Sequence, residues 1–97
     1  MLVLNNMPDL DTLRKEIDTL DYSLIKILRD RLDLVKKIGK IKKSLSLPSL
    51  DNNRWQEVIK SRLLFSKEIG LDVHFVEKIL NLIHVQAIEI EDYEKRI

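Results

Sequence analysis

No proline interrupts the chain between Pro8 and Pro48, and apolar residues recur across that stretch at Leu10, Leu13, Ile17, Leu20, Leu24, Leu28, Val35, Ile38, Ile41 and Leu45. Steps of three, four or seven are the period of one face of an α-helix. Pro8 suits a helix start, and Asp9 or Asn6 can cap it. The pattern predicts one helix from about Asp9 to Lys43, roughly 50 Å long at about 1.5 Å per residue. Such a helix outruns the diameter of a compact domain built from 97 residues. Part of its apolar stripe must then be covered by a second chain.

The rest of the chain continues in the same way. Ser44-Leu-Ser-Leu-Pro-Ser49 reads as a connector, and Ser49 or Asp51 can cap a second helix running through Arg54, Trp55, Val58, Ile59 and Leu63 to Glu68. Gly70 is placed to end it, with Lys67 a favourable charge in the last turn. Asp72 then caps a third helix carrying Val73, Val76, Leu80, Ile83, Ala87 and Ile90. The expected architecture is all-α, long–short–medium, a single domain over residues 1–97 without repeats or low-complexity tracts.

Size reinforces the need for a partner. A domain this small buries little surface, and with no cysteine present neither a disulfide nor a thiolate metal site can compensate. Oligomerisation is the remaining way to enlarge the core. Lys and Arg number 17 against 16 Asp and Glu, a net charge of +1 that argues against broad electrostatic capture of nucleic acid. Met1-Leu-Val-Leu4 is too short for a secretory signal, and no run approaches a membrane span, so the expected compartment is the cytoplasm.

The informative residues are charges standing in line with core positions. Leu28, Arg31, Val35, Ile38 and Lys42 follow at steps of three and four, and Arg31 and Lys42 differ by only about 20° around the helix axis. Both cations should point toward the interior or an internal cleft, where each needs an anion or several acceptors. Two readings fit. The cations snorkel or pair with carboxylates across an interface, or they build an anion site between helices. Arg14 lies about 25 Å along the axis from Arg31, so one small ligand cannot be held by both from one copy. In an antiparallel pair, Arg14 of one chain could approach the middle of the other.

The other polar positions divide similarly. Asp51 and Arg54 fit a cap and a surface residue as well as a site. On the third helix Leu80, Ala87 and Glu91 are nearly in register, and a small alanine beside an inward carboxyl leaves room for a ligand, although Glu91 could also belong to a charged tail. Gly39 is unfavourable in a helix by about 1 kcal/mol against alanine, which suggests the close approach of another backbone or a ligand. His74 and His84 lack metal-ligand spacing. No phosphate loop or nucleophile–base pair is visible, and Trp55 and Phe65 are expected to cover apolar surface.

The order Leu13-Arg14-Lys-Glu-Ile17-Asp18-Thr-Leu20-Asp21, Leu28-Arg-Asp-Arg31, Val35-Lys-Lys-Ile38-Gly39-Lys-Ile-Lys42, then Pro48-Ser-Leu-Asp51-Asn-Asn-Arg54-Trp-Gln-Glu57-Val58 and Gly70-Leu-Asp72 with Val76 through Glu91, resembles the all-helical chorismate mutases over nearly the whole chain. The resemblance implies an intertwined homodimer that rearranges chorismate to prephenate without a cofactor or metal. Lys42 and Glu91 would meet the ether oxygen, Arg14 would come from the opposite subunit to one carboxylate, and Arg31 would take a carboxylate on the home side. Arg54 would lie near the same charged end, Asp51 would accept from the ring hydroxyl, and Ala87 would stand in the pocket wall. Trp55 occupies the position where many relatives carry a glutamate for the ring hydroxyl, and Glu91 the position where many carry glutamine. Two other functions share these features: a related lyase that removes pyruvate from isochorismate, and a non-catalytic helical interaction or regulatory module.

Overall fold

The computed structural model describes residues 7–97, and among them the structure is three helices: α1 (Leu10–Ser44), α2 (Asn52–Glu68) and α3 (Val73–Arg96). Asn6 and the apolar Met1–Leu4 lie outside the described residues. Among the described residues no helix is long and apolar enough to cross a membrane.

Each helix begins on an aspartate. Asp9 accepts from the Thr12 backbone N–H at 2.7 Å, and that bond holds its carboxyl below the usual carboxylate range. Asp51 accepts from the Arg54 N–H at 3.1 Å, and Asp72 from the Phe75 N–H at 2.9 Å. A capping carboxylate satisfies one orphan donor and faces the positive end of the helix dipole. Of the two cap candidates for α2, Asp51 takes the role, and Ser49 is buried instead.

The ends of α1 and α2 share one motif. After α2, the Gly70 N–H reaches the Lys67 carbonyl and the Leu71 N–H the Ser66 carbonyl, with Gly70 at φ +79. After α1, the Ser46 N–H reaches Lys43 and the Leu47 N–H reaches Lys42, with Ser46 at φ 56. Both are Schellman closures, which require a left-handed residue. Glycine supplies it in the second, and serine accepts the strain in the first.

Two compact units divide the chain, residues 1–31 and residues 32–97. In the first, Leu10, Leu13, Ile17, Leu20 and Leu24 are exposed, although their spacing marks them as one apolar face. In the second, the buried apolar residues among those described are Val35, Val58 and Ala87. Phe65, expected to cover apolar surface, is itself exposed, as are Phe75 and Leu82. A single chain thus leaves most of its large apolar side chains in water.

The buried line of α1 in the second unit runs Val35, Gly39 and Lys42, whereas Ile38 is 44% exposed. The reason lies at Gly39. A Cβ built there would stand 3.1 Å from the Glu91 Cα, 3.1 Å from the Glu94 Cβ and 3.4 Å from the Glu91 carbonyl oxygen. The α3 backbone therefore lies against the glycine, and Ile38 is left at the edge of the contact.

Gly39→Ala separates packing from propensity. Alanine gains about 1 kcal/mol in a free helix, but here it meets backbone rather than a flexible side-chain end. We expect a net loss of about 1–3 kcal/mol in urea unfolding monitored by circular dichroism. A variant more stable than the parent would show that α3 can withdraw at little cost.

Candidate functional site

Lys42 follows Gly39 by three residues and therefore emerges on the face that α3 approaches. Glu91, four residues beyond the buried Ala87, faces it from α3. The Lys42 Nζ stands 2.7 Å from Glu91 Oε1, and the two side chains are only 17% and 8% exposed. The same ammonium donates to the Ser49 backbone carbonyl at 2.7 Å. The sequence reading places a carboxylate partner of Lys42 across an interface, whereas the partner observed, Glu91, belongs to the same chain. The tail reading of Glu91 gives way to a buried residue in a helix that continues to Arg96.

Lys42 also stands at an open cleft. Lys42, Leu47, Pro48, Leu50, Asp51, Asn52 and Asn53 line a space of about 340 Å³, within the range of about 300–1,000 Å³ typical of small-molecule sites. Lys42 supplies a cation to it and Asp51 an anion. The Asp51 cap uses Oδ1 alone, and a carboxylate retains further acceptor capacity beyond one such bond. Asp51 is thus both a helix cap and a cleft residue.

The remaining site candidates are placed as follows. Ala87 is buried one turn before Glu91 and is not among the residues lining the cleft. Arg54 pairs through Nη1 with Glu57 Oε1 at 2.6 Å, with side chains 55% and 68% exposed, so this ion pair contributes little to stability. Arg14 is exposed and Arg31 half-buried, both in the unit of residues 1–31. The structure thus brings Lys42 and Asp51 to one cleft, with Glu91 paired to Lys42 from α3 outside its lining, and puts Arg54 at the surface on α2. Among the described residues no group of three or more histidine, aspartate or glutamate side chains is arranged to hold a metal ion.

Several participants had no sequence signal. Trp55 stacks on His84 with ring centroids 3.8 Å apart and planes inclined by 10°, joining α2 to α3. Such a pair contributes about 0.5–1.5 kcal/mol beyond the area it covers. The Ser49 hydroxyl donates to Asp92 Oδ1 at 2.5 Å, and the Lys95 Nζ donates to the Leu47 carbonyl at 2.8 Å. Spacing within one helix shows which residues share a face, but not which residue of another helix will meet them.

With this geometry in place, comparison with known proteins identifies relatives. The family described as chorismate mutase type II matches residues 13–92. The T-protein of Haemophilus influenzae is 35% identical over 74 residues, covering 76% of this chain and 20% of that protein. The bifunctional chorismate mutase/prephenate dehydratase of Aquifex aeolicus is 38% identical over 63 residues, covering 65% of this chain and 17% of that one. The 4-amino-4-deoxychorismate mutase of Streptomyces pristinaespiralis is 28% identical over 83 residues, covering 86% of this chain and 64% of its own length. The chain spans about a fifth of the length of the first two.

The buried pair predicts a characteristic stability cycle. Lys42→Met leaves the buried Glu91 charge uncompensated and should lose about 3–5 kcal/mol, whereas Glu91→Leu leaves Lys42 with the Ser49 carbonyl at the cleft and should lose less. The double variant removes both charges and should recover most of that loss. Equilibrium urea unfolding of all four proteins measures the coupling, and additive losses would show that the two charges do not compensate each other.

Proposed function

Because this chain belongs to the chorismate mutase type II family, we propose that it rearranges chorismate to prephenate. The observation that carries the proposal is the half-buried Lys42 ammonium, held between Ser49 and Glu91 and lining the same cleft as Asp51. The rearrangement breaks a carbon–oxygen bond and forms a carbon–carbon bond within one molecule through a cyclic transition state. It needs no nucleophile. It needs the enolpyruvyl arm folded over the ring and a donor where negative charge grows on the ether oxygen.

In this reading Lys42 meets the ether oxygen and a neighbouring carboxylate, and Glu91, when it carries a proton, is the second donor. Asp51 accepts from the ring hydroxyl. Arg31 and Arg54 serve the carboxylates on the home side, and Ala87 gives the substrate room. Residues 1–97 act as one mutase domain in the cytoplasm and require no cofactor. The exposed apolar face of Leu10, Leu13, Ile17, Leu20 and Leu24 supports an intertwined homodimer, in which Arg14 reaches the partner's site.

A second substrate has its own support. The relative matched over 83 residues is named for 4-amino-4-deoxychorismate, and a carboxylate at Asp51 accepts from an amino group as readily as from a hydroxyl. Purified protein should therefore be assayed on chorismate, its 4-amino analogue and isochorismate. Prephenate formation supports the principal reading. Faster turnover of the amino compound replaces it, and pyruvate with salicylate from isochorismate identifies a lyase. No conversion of any of them leaves the binding or regulatory module.

Asp51→Asn isolates the ring contact, because asparagine caps a helix as well as aspartate does and the fold should be retained. Loss of a charged acceptor should lower kcat/KM by about 10- to 150-fold. Equal rates for parent and variant at subsaturating chorismate would remove Asp51 from the site.

Arg14→Ala and Arg31→Ala test the shared site. Each homodimer should be nearly inactive. In the heterodimer formed by co-refolding, one site carries both lesions and the other neither, so activity should return in one site of the two. A purified heterodimer that stays inactive overturns the cross-subunit assignment of Arg14.

A further inference from the structure

Lys42 is the end point of a chain of contacts that crosses the connector between α1 and α2. An ammonium has three N–H donors. One is directed at the Ser49 carbonyl at 2.7 Å, and the Glu91 carboxylate stands 2.7 Å away on another side. The hydrogen bond to Ser49 fixes one N–H direction, the ion pair with Glu91 holds the ammonium against α3, and Lys42 lines the cleft. The direction in which the ammonium faces the cleft depends on where the Ser49 carbonyl is held.

The Ser49 carbonyl is held from α3. The Ser49 hydroxyl, on a residue only 7% exposed, donates to Asp92 Oδ1 at 2.5 Å. One turn along α3, the Lys95 ammonium donates to the Leu47 carbonyl at 2.8 Å. These two ties bracket Pro48, whose ring fixes its own φ. The connector also leaves α1 through Ser46 in the left-handed region, so little freedom remains on either side. Asp92 adjoins Glu91 in sequence, and one turn of α3 therefore carries both the counter-ion of Lys42 and the anchor of the carbonyl that aims it.

We propose that Ser49 and Asp92 are positioning residues for Lys42, setting the direction of the donor it presents to the cleft. The inference rests on the mutase reading for its catalytic consequence, while the geometry of the clamp stands apart from that reading. Ser49→Ala deletes the hydroxyl and keeps the carbonyl, so Lys42 loses aim without losing its charge or its partners.

The test has a spectroscopic arm and a kinetic arm. In the lysine-ammonium region of a ¹H–¹⁵N spectrum recorded cold and mildly acidic, the parent should show a protected ammonium, assigned by its absence in Lys42→Arg. Ser49→Ala and Asp92→Ala should broaden or lose it, with circular dichroism unchanged. Ser49→Thr and Asp92→Asn, which keep a donor and an acceptor, should retain it. On chorismate, Ser49→Ala should lower kcat by about 10- to 100-fold and change KM by no more than about threefold, because charge on the ether oxygen grows only in the transition state. Ser49→Thr should restore kcat.

A protected signal that persists in Ser49→Ala overturns the clamp, whatever the protein does to chorismate. A lost signal with unchanged kcat overturns the positioning role, as does a loss of stability with kcat intact. A parent that shows the signal and leaves chorismate unconverted refutes the mutase reading and upholds the clamp as a structural feature.

Discussion

An ammonium and a carboxylate 2.7 Å apart, each with less than a fifth of its side chain in solvent, must overcome the cost of leaving water. Their attraction alone seldom does so with much to spare. Lys42 also donates a hydrogen bond to the Ser49 carbonyl, and that carbonyl is fixed because α3 holds the connector at Asp92 and Lys95. Glu91 reaches Lys42 because Gly39 lets the α3 backbone lie against α1. A Cβ at position 39 would stand 3.1 Å from the Glu91 Cα and press on that approach. Helix spacing, connector path and cleft electrostatics are in this sense one arrangement.

Much of this was legible in the sequence because it depends on local rules. The expected helix from Asp9 to Lys43 is observed as Leu10–Ser44, and Asp51, Gly70 and Asp72 stand at the boundaries their chemistry requires. The inward direction of Lys42 followed from its period, and the close backbone approach at Gly39 from the cost of placing glycine in a helix. What failed to read out depends on a second element. Ile38 fits the apolar stripe by angle, yet the structure turns the Gly39 edge toward α3 and leaves Ile38 exposed. The stripe is about 100° wide, and the sequence does not say which edge meets a neighbour.

The same limit explains the contacts across helices. Ser49 was a plausible cap because it precedes a helix, but Asp51, closer to Asn52, takes that place. Ser49 is then available to Asp92, far along the chain. The Trp55 ring lies on His84, so the start of α2 gains a packing contact there. Ser46 in the left-handed region is the costliest local departure, since serine lacks the freedom glycine has there. It persists because the turn is closed by backbone bonds to Lys42 and Lys43.

The exposed apolar residues of α1 and the buried charges near its end pose complementary problems. A single chain buries only Val35, Val58 and Ala87 among its described apolar side chains, while placing Ser49, Ser66, Glu91 and Glu94 out of water. Apolar burial normally supplies the surplus that offsets polar desolvation, and here the proportions are reversed. A homodimer would correct the balance by covering Leu10, Leu13, Ile17, Leu20 and Leu24. It would also exclude water from clefts whose charged groups already have fixed directions. Hydrogen bonds aimed in advance act more strongly on developing charge once solvent is gone. In the proposed enzyme, the surface that completes the fold would therefore also complete the dielectric environment of the reaction, and stability and catalysis would depend on the same association.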